Sequence, residues 1–177
     1  RYTKVNCPGY MTVPHWLDPT IGTKFPCWAV HGTQDLIAGL ANSCDVYFYH
    51  LGGGAPAGEW EGLGVERIGK WARAFGLGQP TGIELPGEAT GNVPDDVWKR
   101  KTFKEAWYKG DTYNLSIGQG FVTVTPLQML NALTVIANGG TLNRPQLVLD
   151  VTDPSGKIIR PFEPEVIRKV PVNGEYL

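Results

Sequence analysis

The chain has little cysteine and little serine: Cys7, Cys27 and Cys44, and Ser43, Ser116 and Ser155, are all it contains. Three thiols are too few for a disulfide scaffold. No Cys-x-x-Cys or His-x-x-x-His spacing links them to His15, His31 or His50, so spacing predicts no metal site. There is no excess of one charge either. Sixteen Lys and Arg against seventeen Asp and Glu leave a net charge of −1, which offers no basic field to a nucleic acid. Long apolar runs are missing as well. The most apolar stretch, 121–137, is broken by Pro126 and carries Thr, Gln and Asn, which reads as a buried helix and not a membrane span. The opening Arg1-Tyr2-Thr3-Lys4 has neither Met nor a signal core, so the ends read as cut from something longer.

What is present is aromatic and loop-rich. Six Trp, seven Tyr and six Phe need burial and exclude disorder, and 23 Gly with 14 Pro predict many turns in one domain of 177 residues. Residues 1–32 read as an irregular hairpin, with Cys7 on one arm, Cys27 on the other, and turns at Pro8-Gly9 and Pro19-Thr20-Ile21-Gly22. Helical pattern starts at Thr33, a candidate cap, and covers 33–41. The segment 44–51 has strand propensity in Val46-Tyr47-Phe48-Tyr49, and Gly52-Gly53-Gly54 should end it. An amphipathic helix is predicted over 65–75, then an extended loop over 77–94. A short basic helix or turn follows, whose Lys99, Arg100, Lys101 and Lys104 should form a solvated face. Asp111 and Asn114 read as loop-stabilising residues. Thr125-Pro126-Leu127-Gln128 is a capping box opening a central, buried helix over 125–137. A hairpin turns at Asp153-Pro154-Ser155-Gly156.

A serine at a helix start is ordinarily just a cap, but Ser43 stands in an informative string. The segments Cys7-Pro8-Gly9, Phe25-Pro26-Cys27-Trp28, His31 to Leu36, Ala41 to Tyr49, Leu85 to Gly91, Gly110 to Gly120 and Thr125 to Gln128 occur in an order that resembles the transpeptidase domain of class B, elongation-type penicillin-binding proteins. The resemblance implies an α+β fold of the penicillin-binding protein and serine β-lactamase kind, mainly its helical subdomain with peripheral β-hairpins, and a helix over 44–51 in place of the strand that local propensity favours. On this reading residues 1–177 are an internal fragment of one such domain. It comprises an irregular hairpin region (1–32), a helical subdomain (33–140) and a hairpin with an extended segment (141–177).

The resemblance also assigns chemistry. Such enzymes cross-link peptidoglycan through three motifs around one cleft: Ser-x-x-Lys, Ser-x-Asn or Ser-x-Asp, and Lys-Thr-Gly. Ser43-Cys44-Asp45 matches the second. It implies Ser43 as a catalytic proton relay and Asp45 as a substrate-binding residue, with Tyr47 bordering the cleft. Positions 46, 119 and 158, three after each serine, are Val, Gln and Ile, and no Lys-Thr-Gly occurs. The nucleophile is therefore expected outside these residues and the chain alone is expected to be inactive. No cofactor or metal is implied. Implied partners are the peptidoglycan stem peptide, β-lactams and a lipid-II glycosyltransferase, with no nucleic acid. The implied place is the outer face of the cytoplasmic membrane, reached through an anchor not in this sequence. In that oxidising compartment Cys7 and Cys27 become a candidate disulfide. Alternative readings are a β-lactam sensor or hydrolase of the same fold, and a non-catalytic interaction module.

Overall fold

A computed structural model describes residues 3–176 except 16, 19 and 57. The chain divides into two compact units, Arg1–Gly69 with Pro94–Val122, and Lys70–Val93 with Thr123–Leu177. Helices and two-stranded sheets mix throughout.

In the first unit the N-terminal region makes two pairings where one hairpin is predicted. Strand β2 (Tyr10–Pro14) pairs with β3 (Gly22–Pro26), while β1 (Val5–Cys7) pairs with β4 (Gly32–Gln34), both antiparallel. Pro19 of the predicted turn lies outside the described residues; beside it the Asp18 carboxylate accepts from the Thr20 amide and hydroxyl. Because Thr33 is taken into β4, the cap of α1 (Leu36–Ala41) passes to Asp35, whose carboxylate accepts from Ala38 N–H at 2.9 Å.

The strand-prone aromatic run is helical: α2 spans Asp45–Gly53. Tertiary packing overrides local preference here, since α2 buries Val46, Tyr47 and Tyr49 in a core with Val5, Cys7, Met11, Cys44 and Tyr113. Phe25, Tyr49 and Tyr113 meet edge-to-face, with centroids 5.1–6.1 Å apart. Of the glycines predicted to end α2, Gly52 and Gly53 extend it and Gly54, at φ +81°, ends it. A Cβ on Gly52 would lie 1.7 Å from Ser116 Oγ, and one on Gly53 2.2 Å from the Tyr113 ring, so both let α2 approach α5 closely. Helix α5 (Lys109–Ser116) occupies a stretch read as loop. Asp111 opens it by accepting from Tyr108 N–H at 2.8 Å. The basic helix α4 (Asp96–Phe103) departs from the predicted solvated face at Lys99, which is only 3% exposed and pairs with Asp111 at 2.6 Å. Helix α3 (Gly64–Ala74) forms where expected.

In the second unit the predicted capping box holds. Thr125 Oγ1 accepts from Gln128 N–H and the Gln128 side chain accepts from Thr125 N–H, opening α6 (Pro126–Ala137). The buried Gln128 amide also donates to the carbonyls of Gln79 (2.7 Å) and Thr90 (2.8 Å), tying down the 77–94 loop. Helix α6 is not buried around its circumference: Ala132 and Val135 are covered, Leu130 and Leu133 exposed. Strand β5 (Thr141–Asn143) pairs with β8 (Val166–Lys169), bringing Leu142 and Val170 against Val135. Strands β6 (Val151–Thr152) and β7 (Ile158–Arg160) flank the predicted turn, whose Asp153 carboxylate accepts from Ser155 and Lys157. No helix among the described residues is long and apolar enough to cross a membrane.

Candidate functional site

Ser43 occupies the tight turn between α1 and α2. Asn42 closes α1, Cys44 caps α2, and Ser43 between them adopts φ +47°, a left-handed conformation that a serine holds only when its surroundings enforce it. The enforcement is visible. Ser43 N–H donates to Leu40 O, Cys44 N–H donates to Gly39 O at 2.8 Å, and the Asn42 amide donates to Gln34 Oε1 at 2.8 Å. The Trp28 indole N–H, from the loop after β3, is 3.0 Å from the carbonyl oxygens of both Asn42 and Ser43. The Ser43 side chain is exposed, and its hydroxyl makes no hydrogen bond among the described residues. Asp45 is the first residue of α2 and half-buried.

The other sequence candidates separate from this turn. Tyr47, expected at the cleft border, is 3% exposed and its ring stands where a Cβ on Gly39 would lie at 2.7 Å. Burial and then the Asp35 charge push its phenol upward. It packs the α1–α2 corner. Ser116 donates to Thr112 O at 2.6 Å within α5 and serves helix packing. Ser155 is a turn residue bound to Asp153.

Directly beneath the Ser43 turn lies a group that spacing did not reveal. The sulfurs of Cys7, Cys27 and Cys44 and a ring nitrogen of His31 all lie within 4.8 Å of one another. Register builds it. The β1–β4 pairing sets Cys7 opposite Gly32, with His31 N–H donating to Cys7 O. The β2–β3 hairpin returns Cys27, whose N–H donates to Gly9 O at 2.8 Å, and Cys44 arrives as the α2 cap. His31 Nδ1 is 3.7 Å from Cys7 Sγ and 3.5 Å from Cys27 Sγ. All three thiols are free, so the Cys7–Cys27 pair expected as a disulfide is unbonded here. Burial pushes the Cys7 thiol up, but hydrogen bonds from the His31 and Gly9 backbone and the His31 and Cys44 side chains outweigh it and bring it to about 7. Burial pushes Cys44 to about 12.

The donor chemistry fits a soft, tetrahedral metal. Once deprotonated, the three cysteines with the imidazole would make the closed, four-ligand set of structural zinc. Tetrahedral zinc, with Zn–S about 2.3 Å and Zn–N about 2.0 Å, would have S···N edges of about 3.6 Å, near the two contacts just given, while the four donor atoms together spread over up to 4.8 Å and would draw in around an ion. The one local hint was Cys27-x-x-x-His31; the remaining donors come from segments that only folding joins.

A cavity of about 510 Å³ in the second unit is lined by Glu84, Gln146, Arg160, Phe162 and Glu165 among others, and holds none of these candidates.

Comparison with known proteins agrees with the geometry. Residues 9–177 match the penicillin binding protein transpeptidase domain. The peptidoglycan D,D-transpeptidase MrdA of Haemophilus influenzae is 36% identical over 163 residues, covering 91% of this chain and 23% of that protein. Among solved structures, the complex of PBP2 and MreC from Helicobacter pylori matches with TM-score 0.72 and 33% identity, covering 92% of this chain and 27% of that one. Pseudomonas aeruginosa PBP2 in complex with WCK 5153 matches with TM-score 0.72 and 31% identity, covering 94% and 34%. The chain thus spans about a quarter of the length of the curated relatives it matches. A match across nearly all of these residues, with the same fold and with Ser43-Cys44-Asp45 at the turn into α2, means that the chain belongs to the penicillin-binding protein transpeptidase domain family.

Proposed function

We infer that these residues form the middle of the catalytic domain of a peptidoglycan D,D-transpeptidase. The observation that carries the reading is the braced, exposed Ser43 turn at the start of α2, with Asp45 beside it. In the intact enzyme a serine of a Ser-x-x-Lys motif attacks the penultimate D-alanine carbonyl of a stem peptide. The terminal D-alanine leaves, and the acyl group passes to an acceptor amine. The Ser43 hydroxyl moves a proton between the nucleophile pair and the leaving or entering amine, while Asp45 orients the acyl-side amide. A left-handed, hydrogen-bonded turn suits that task because it holds the Ser43 backbone in place and leaves the hydroxyl free for substrate. Stem peptides are the substrate, β-lactams acylate the same serine as mimics, and a lipid-II glycosyltransferase supplies the polymer. The reaction takes place outside the cytoplasmic membrane.

These 177 residues contain neither Ser-x-x-Lys nor Lys-Thr-Gly. A fluorescent penicillin should therefore leave this chain unlabelled. In the intact protein Ser43→Ala should slow acylation by roughly 10²–10⁴-fold, the usual effect of losing one proton-transfer group, and Asp45→Ala by less. A labelled chain with the adduct on Ser43 would overturn the assignment.

A second reading rests on the cluster below the turn. Cys7, Cys27, His31 and Cys44 hold zinc as a structural ion that joins β1, the end of β3, the start of β4 and the cap of α2. With four protein ligands no position is open for substrate, so the ion stiffens the Ser43 turn and takes no part in acyl transfer. One zinc per reduced chain by elemental analysis is the expected result.

A further inference from the structure

We propose that Cys27 is a peroxide-reactive thiolate, and that its oxidation to a disulfide with Cys7 opens the cluster and loosens the Ser43 turn. The proposal rests on the zinc reading and adds regulation to it. Three observations carry it. First, two of the sulfurs already converge on one nitrogen, Cys7 and Cys27 being 3.7 and 3.5 Å from His31 Nδ1. Their backbones are also tied to each other's neighbours, through Cys27 N–H to Gly9 O and His31 N–H to Cys7 O. The two sulfurs lie within 4.8 Å of each other and must close to about 2.0 Å to bond.

Second, access selects the reactive thiol. Cys7 and Cys44 are 0% exposed, whereas Cys27 is half-buried at the edge of the cluster, so a small oxidant in solvent meets Cys27. A zinc-held cysteine is kept as the thiolate, the nucleophilic form.

Third, the residue after Cys27 touches the functional turn. The Trp28 indole N–H contacts the Asn42 and Ser43 carbonyls at 3.0 Å, and its ring lies edge-on to His31 with centroids 5.0 Å apart. Cys44, the third thiol, is the middle residue of Ser43-Cys44-Asp45. A change at Cys27 thus reaches Ser43 from both sides, through Trp28 and through release of Cys44.

The chemistry balances with hydrogen peroxide as oxidant. The Cys27 thiolate attacks one peroxide oxygen, the O–O bond breaks, and the departing hydroxide takes a solvent proton, leaving a sulfenic acid. The Cys7 thiolate attacks the Cys27 sulfur, the S–S bond forms, the S–O bond breaks, and the second hydroxide is protonated to water. The sulfur pair loses two electrons and peroxide gains them; zinc, left with Cys44 and His31, leaves to solvent. This fits the family of cysteine oxidations that a thiol reductant reverses.

The test uses the reduced, zinc-loaded chain treated with hydrogen peroxide. Zinc release is followed with a colorimetric chelator, cysteine state by peptide mass mapping without reductant, and Trp28 by fluorescence, with Trp28→Phe identifying its share. The expected result is coincident zinc release, a Cys7–Cys27-linked peptide lighter by two hydrogens, and a Trp28 emission change, all reversed by dithiothreitol and zinc. Cys27→Asp keeps a zinc ligand that cannot be oxidised, and should retain zinc under the same peroxide. Zinc retained with three free thiols, or release with Cys27 unmodified, overturns the proposal; this wild-type mapping decides alone if the variant does not fold. A reduced chain that takes up no zinc refutes the metal reading, and this switch with it, before any peroxide is added.

Discussion

Removing the Lys99 charge should destabilise the chain more than any ordinary surface substitution. Lys99 Nζ lies 2.6 Å from Asp111 Oδ2 and 3.8 Å from Glu105 Oε2, with its side chain 4% exposed and that of Asp111 16%. The ammonium stands 4.6 Å from the Tyr108 ring centroid and 5.6 Å from that of Phe121, so aromatic faces and carboxylates take the place of its water. Lys99→Met keeps the stem and strands Asp111 beside a single backbone donor, Tyr108 N–H. Breaking a buried pair from one side costs about 3–5 kcal/mol; the partial exposure of Asp111 puts this case near 3. Asp111→Asn leaves the more deeply buried Lys99 with Glu105 at 3.8 Å as its remaining carboxylate and weakens the first turn of α5, so it should cost a similar amount. The double variant should cost less than the two single costs together, by up to about 3 kcal/mol, because neither charge is then left alone. Urea unfolding monitored by circular dichroism reads the midpoint at constant slope. Strict additivity, or a Lys99→Met cost below about 1 kcal/mol, would show that the pair is solvated and the argument wrong.

Gly52→Ala should lower stability by roughly 1–3 kcal/mol through overpacking, and Ser116→Gly, which clears the space its methyl would enter, should recover part of the loss in a thermal melt. Burial holds the His50 imidazole below its ordinary range, with Glu59 opposing and Lys109 adding to the shift, and the ring stacks on Trp60. The unfolded chain then binds the extra proton first. Stability is fully present above about pH 6.5 and is lost as pH falls from there through the lowered folded value. Comparing melts near neutrality and in mild acid, His50→Gln should flatten this dependence; an unchanged slope would assign the acid loss to other groups.

Several elements were legible because their causes are local. The α6 cap needs only Thr125, Pro126 and Gln128 within one turn, and the Asp153 turn only its own side chain and the next few amides. Others failed for a common reason. Thr33 looks like a helix cap until β1 claims it for β4, and Gly52-Gly53 look like a helix stop until α5 needs their bare surface. Lys99 looks solvent-facing until Asp111, twelve residues on, lies against it. In each case the deciding partner lies beyond the window that a propensity or spacing rule inspects.

The order of short motifs along the chain, and above all Ser43-Cys44-Asp45 before an aromatic run, was enough by itself to indicate the family, because a motif string is preserved in one dimension. The conformation of Ser43 was not in that string. Its left-handed turn is held by Trp28, Gln34 and Gly39, residues that strand pairing and helix packing bring to it. The thiol–imidazole cluster beneath it is a property of the tertiary structure alone. Two strand registers and a helix cap must all form before Cys7, Cys27, His31 and Cys44 share one small volume, and no spacing along the chain encodes that meeting.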